Sequence, residues 1–81
     1  MKVNGYKIKP GAKLRFANLS DADLTGANLT KAILHYVDLR GANLTGANLT
    51  NADFKSANMK GTELSNAILT GATMPDGTIH D

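Results

Sequence analysis

Between residues 12 and 76 every fifth position is large and apolar. Leu14, Leu19, Leu24, Leu29, Leu34, Leu39, Leu44, Leu49, Phe54, Met59, Leu64, Leu69 and Met74 hold one unbroken register. Two residues before each stands a small side chain, alanine everywhere except Val37 and Thr62. The residue between is usually Asn or Asp, as at Asn18, Asp23, Asn28, Asp38, Asn43, Asn48, Asp53 and Asn58. Self-similarity at a fixed period marks a repeat architecture.

A period of five excludes the ordinary elements. On an α-helix, five residues advance by about 500°, so successive leucines step round by about 140° and form no stripe. In a straight strand the side-chain period is two, and an odd spacing sends alternate leucines to opposite faces. Both arrangements leave half the ladder in water. A chain that bends once per pentad instead points every leucine at a common axis, giving a coiled β-solenoid filled by Leu and Ala.

The surface positions set the length of one coil, because residues one coil apart stack about 4.8 Å from each other. Sorted at a spacing of twenty, the residues after the central ones form four columns: Arg15, His35, Lys55; Ser20, Arg40, Lys60; Thr25, Thr45, Ser65; and Thr30, Thr50, Thr70. Two columns collect the basic side chains and two hold only hydroxyls. Sorting at fifteen destroys that order. Phe16 and Tyr36 also align only at twenty. Four pentads per coil, and so a square cross-section, is the expectation.

The run "ANLSDADLTGANLTKAILHYVDLRGANLTGANLTNADFKSANMKGTELSNAILTGATM" resembles the pentapeptide repeat family, whose motif is A-(D/N)-L-X-X. The resemblance covers residues 12–76. It implies an all-β fold, a right-handed quadrilateral β-helix (β-solenoid) of about three coils with short terminal caps. Ile33, Glu63, Ile68 and Thr73 depart from the Asn/Asp rule, and Lys13 opens the series. The family shares no single biochemical function. Its best-known activity is inhibition of type II topoisomerases by an acidic rod that mimics DNA.

One domain suits 81 residues. Residues 1–11 lie outside the register, and the expected organisation is an N-terminal cap at 1–11, the repeats at 12–76 and a C-terminal cap or tail at 77–81. Tyr6 and Ile8 share one face of a short extended segment, and Pro10-Gly11 breaks before the first repeat. At the other end, Pro75-Asp76-Gly77 is turn chemistry. Ile79 falls back into the five-residue register, where it is expected to cover the inside of the last coil.

Charge is unevenly distributed. Lys2, Lys7, Lys9, Lys13 and Arg15 precede the first acid, Asp21. Residues 16–81 then hold four bases (Lys31, Arg40, Lys55, Lys60) against seven acids, a formal −3, so the alkaline balance belongs to one end. At a spacing of twenty no two acids are stacked neighbours, which avoids like-charge repulsion between coils. DNA mimicry needs dense negative charge and a long body, and this chain has neither. A basic tip suits an anionic partner, but a solvated cap accounts for it more simply, and nucleic acid is a disfavoured partner.

No catalytic constellation emerges. There is no cysteine, and the two histidines, His35 and His80, have no cysteine or second histidine at metal-ligand spacing. No serine has a strand–turn–helix setting, and the glycines of the repeats occupy corners, not a phosphate loop. No cofactor and no metal are expected, nor an enzyme. The N-terminus lacks the apolar segment of a leader peptide, and no run reaches membrane-spanning length, so a cytoplasmic location is the default expectation.

What remains is surface. Phe16, Ile33, His35 and Tyr36 fall together on the first side of the coil, an aromatic and apolar cluster edged by cations, as interface centres are. They form the candidate patch for a protein partner. Met59, Met74 and Ile79 collect near the C-terminal end, where an unpaired coil edge invites pairing with another chain; they are the candidate contact of an end-to-end homodimer.

Overall fold

The computed structural model describes all residues from Met1 to Asp81, with principal extents of 29 × 23 × 21 Å. The chain winds as a β-helix in which one circuit takes twenty residues. Single-residue parallel bridges join Lys13 to Ile33 to Asp53 to Thr73, Asn18 to Asp38 to Asn58, Asp23 to Asn43 to Glu63, and Asn28 to Asn48 to Ile68. These columns are the four walls, numbered here in that order. Each wall is only one bridged residue wide per circuit, because the chain turns again before a longer strand can form.

The backbone explains why five residues suffice for a side and a corner. From Leu14 to Phe54 each central amide donates to the next circuit, as Leu24 does to the Asn43 carbonyl at 2.8 Å. Its carbonyl closes the corner by accepting the amide three residues on, as Leu14 does from Ala17 at 3.1 Å. The residue before that alanine has a positive φ at every such corner: glycine at Gly26, Gly41, Gly46, Gly61 and Gly71, other residues elsewhere. A positive φ at the third position is the signature of a type II turn. The repeated glycine, asparagine and aspartate there follow from the low cost of that conformation for these residues.

The Asn/Asp rule has an equally local cause. Asn18, Asp23, Asn28, Asp38, Asn43, Asn48, Asp53 and Asn58 each accept the amide two residues on through Oδ1, at 3.0–3.2 Å. Glu63 does the same with Oε1 at 3.2 Å. At Thr73 the residue two on is Pro75, which has no amide to satisfy. Ile33 and Ile68 give up the contact.

Leu19, Leu24, Leu29, Leu34, Leu44, Leu49 and Phe54 are shielded completely or almost so, with alanines filling the space between them. Burial fades toward the C-terminal end, where Met59, Leu64, Leu69 and Met74 are half-buried. At the opposite end β1 (Lys2–Val3) and β2 (Tyr6–Lys7) form an antiparallel hairpin. Ile8, just after it, is buried in the core, and Val3 and Tyr6 pack against it. The hairpin is seated on the second wall: the Asn18 amide donates to the Tyr6 hydroxyl at 3.3 Å, and Asn4 Nδ2 donates to the Asn18 carbonyl at 3.4 Å.

Ile79 does not rejoin the inward ladder. The turn at Pro75–Gly77, closed by Gly77 donating to the Met74 carbonyl at 2.8 Å, reverses the chain. Ile79 therefore runs antiparallel to Thr73 and is 62% exposed. A reversal moves its side chain out of the parallel register that a spacing of five assumes, so the residue lies over the edge of the first wall and leaves the interior uncovered. No helix is long and apolar enough to cross a membrane.

Candidate functional site

Of the sixteen positive-φ positions, fourteen avoid an aromatic or β-branched side chain, and the two exceptions share one column: the corner after the first wall carries Phe16, Tyr36 and Ser56 at φ 61°, 57° and 61°. Phe16 and Tyr36 are the two aromatic residues there. Left-handed backbone costs an ordinary side chain roughly 1–2 kcal/mol, and the equivalent positions elsewhere are Gly, Asn, Asp or Lys. The two rings lie one circuit apart and stack, with centroids 5.0 Å apart and planes within 5°. They are 73% and 58% exposed, so little core burial compensates for their backbone. Ile33, on the wall that leads to this corner, is half-buried.

The cations beside the rings divide into free and tied. His35 Nε2 lies 2.7 Å from Asp53 Oδ2 on the adjacent circuit. Partial burial raises the Asp53 carboxyl, but hydrogen bonds from His35 and from the Lys55 amide, with their positive charges, outweigh it and leave the group below its ordinary value. On the next wall Arg40 donates to Asp38 through Nε at 2.9 Å and Nη2 at 2.7 Å. Those bonds and the Arg40 amide hold the Asp38 carboxyl below its ordinary value. These are the two contacts between basic and acidic side chains within 4.0 Å, and the Arg40–Asp38 one is an ion pair. Lys13, Arg15 and Lys55 enter none.

The structure thus brings Phe16 and Tyr36 into direct contact and sets His35 beside them, but engages His35 with a partner that composition did not flag. Asp53 stands directly above Ile33 in the first wall, and that stacking at twenty was the signal available for it. The N-terminal hairpin leaves the rings exposed, its side chains packing on the core and hydrogen-bonding to Asn18. His80 is remote from His35: its Nδ1 contacts the Asp81 carbonyl at 2.9 Å, and its amide and carbonyl pair with Ala72 and Gly71.

The C-terminal end has a different character. Met59 and Met74 are half-buried there, and Ile79 is exposed. Around three walls the last circuit keeps unpaired backbone: the amides of Met59, Gly61, Leu64, Asn66 and Leu69, and the carbonyls of Ala57, Thr62 and Ala67. Only the first wall is covered, by the segment that contains Ile79 and His80.

The model of pentapeptide repeats matches residues 11–46 and 47–76, in eight copies. Among solved structures, the chain is similar to the pentapeptide repeat protein Rfr23 from the cyanobacterium Cyanothece 51142, at 36% identity over 86% of this chain with a TM-score of 0.60. It is also similar in sequence to HetL from the cyanobacterium Nostoc sp. strain PCC 7120, a pentapeptide repeat protein involved in heterocyst differentiation regulation, at 33% identity over 84% of this chain; there the TM-score is 0.29. The chain spans 48% of the first protein and 43% of the second. No curated protein matches it. With repeats matched over four-fifths of its length and the twenty-residue circuit seen in its backbone, the chain belongs to the pentapeptide repeat family.

Proposed function

We propose that this chain is a non-enzymatic protein-interaction module, a right-handed quadrilateral β-helix of about three coils that holds a rigid surface for a protein partner. The observation that carries the reading is the stacked, exposed Phe16–Tyr36 pair on strained corners. Bulky residues kept at a backbone cost where the fold gains little from them are what a binding surface requires. A wall of single-residue bridges that is hydrogen-bonded circuit to circuit presents them with little conformational freedom to lose on binding. Ile33 and His35 extend the patch.

Inhibition of a type II topoisomerase by DNA mimicry is the weaker reading. Asp38 is paired with Arg40 and Asp53 is engaged by His35, which thins an acidic surface that is already sparse. A supercoiling assay separates the two, and inhibition at low protein concentration would favour mimicry.

The test of the interaction reading is a comparative pulldown from the native cell. Serine already occupies the third position of the aromatic column at Ser56, with φ 61°, so Phe16→Ser combined with Tyr36→Ser is compatible with the backbone. A partner retained by the wild type should be lost by the double variant, with thermal unfolding preserved. Retention by both proteins would place the interface elsewhere. The unpaired C-terminal edge supports a second contact, end to end with another copy through Met59, Met74 and Ile79.

A further inference from the structure

We infer that the Phe16–Tyr36 corner takes an acidic, extended peptide segment, in which two carboxylates flank an apolar side chain; this rests on the interaction reading above and specifies the partner's chemistry. The rings supply the apolar seat. Arg15 and Lys55 follow the first wall on either side of His35 in one column; neither forms a salt bridge within the molecule, although the Lys55 charge acts on nearby Asp53. The rung between them offers no free basic group, because His35 is engaged by Asp53 at 2.7 Å. Two free positive charges therefore stand two circuits apart, roughly 10 Å at about 4.8 Å per circuit. Side chains on one face of an extended polypeptide recur every second residue, about 7 Å apart, so acids two positions either side of an apolar residue stand roughly 13 Å apart, a span the long Arg15 and Lys55 side chains meet. Carboxylates spaced accordingly meet Arg15 and Lys55, and the side chain between them lies against Tyr36 and Phe16.

The same arrangement disfavours a nucleic-acid strand. The neighbouring basic column, Ser20, Arg40 and Lys60, also has its middle basic group tied, here to Asp38 through two hydrogen bonds. Engaged middle rungs interrupt both columns, whereas a phosphate backbone is held by a continuous run of free cations, with affinity rising with each phosphate neutralised. Isolated cations beside an aromatic seat suit a short acidic segment better.

A random peptide display library panned on the wild type, with counter-selection on the Phe16→Ser/Tyr36→Ser protein, reads this chemistry directly. Recovered peptides should carry two acidic residues on either side of an apolar one. A labelled member should bind at least about tenfold more weakly to Arg15→Gln/Lys55→Gln than to the wild type, and lose affinity with added salt. Labelled oligothymidylate, run in parallel, should bind no better to the wild type than to that charge variant. Neutral or basic peptides, no enrichment at all, equal affinity for the charge variant, or tighter binding of the oligothymidylate would each overturn the inference. If the pulldown partner still depends on Phe16 and Tyr36 in that event, the interaction reading survives and only the acidic chemistry is lost.

Discussion

His35 Nε2 and Asp53 Oδ2 meet at 2.7 Å, joining successive circuits beside the exposed aromatic pair. The carboxyl of Asp53 stands below its ordinary value of 3.8. A depressed folded-state value means that the stabilising contribution is complete above the unfolded value and is lost as pH falls through the folded one. Asp53→Asn keeps an oxygen for the Lys55 amide but removes the charge. The wild type is therefore expected to unfold at a higher temperature than the variant above about pH 5, by the small amount typical of exposed pairs, about 0.2–1 kcal/mol. Below the ordinary value the two melting curves should converge. A difference that stays constant down to strong acid would show that the charge on Asp53 does not matter.

Phe16 at φ 61° leads to an expectation about its own corner. Glycine adopts this conformation freely, while alanine keeps the backbone penalty and loses the ring. Phe16→Gly should be more stable than Phe16→Ala by about 1 kcal/mol, measured by urea unfolding. Equal stabilities would mean that the corner stores no strain, and would remove one support for a binding role.

Leu44 is fully shielded in the middle of the stack, whereas Leu64 is half-buried one circuit on. Leu44→Ala should cost about 2–5 kcal/mol, the range for cavities in close-packed cores. Leu64→Ala should cost clearly less, because water reaches part of the side chain in the folded state. Chemical denaturation compares them, and a larger loss at Leu64 would contradict the gradient of burial.

The open edge at the C-terminal end predicts self-association. Sedimentation velocity over a concentration series should show a dimer that Ile79→Lys weakens by at least about tenfold, since the introduced charges would face each other or be desolvated. A wild-type protein that remains monomeric throughout would remove the end-to-end contact.

Much of this fold was legible in the chain. A five-residue apolar register admits few geometries, and columns sorted at twenty gave the same spacing at which the backbone bridges, as Asp23 does with Asn43. The Asn/Asp preference was readable as local side-chain-to-backbone bonding, because it acts over two residues and needs no tertiary context. The positions of Phe16 and Tyr36 in one column followed from the same arithmetic.

The sequence by itself determined the repeat, the inward ladder and the sorting of surface residues into columns, since each depends on spacing alone. Only the tertiary structure decided the stacking of Phe16 on Tyr36, the capture of His35 by Asp53, the seating of the hairpin on Asn18 and the reversal that turns Ile79 outward. Those depend on side-chain direction and on the chain ends, where the repeat stops and no neighbouring circuit imposes a register.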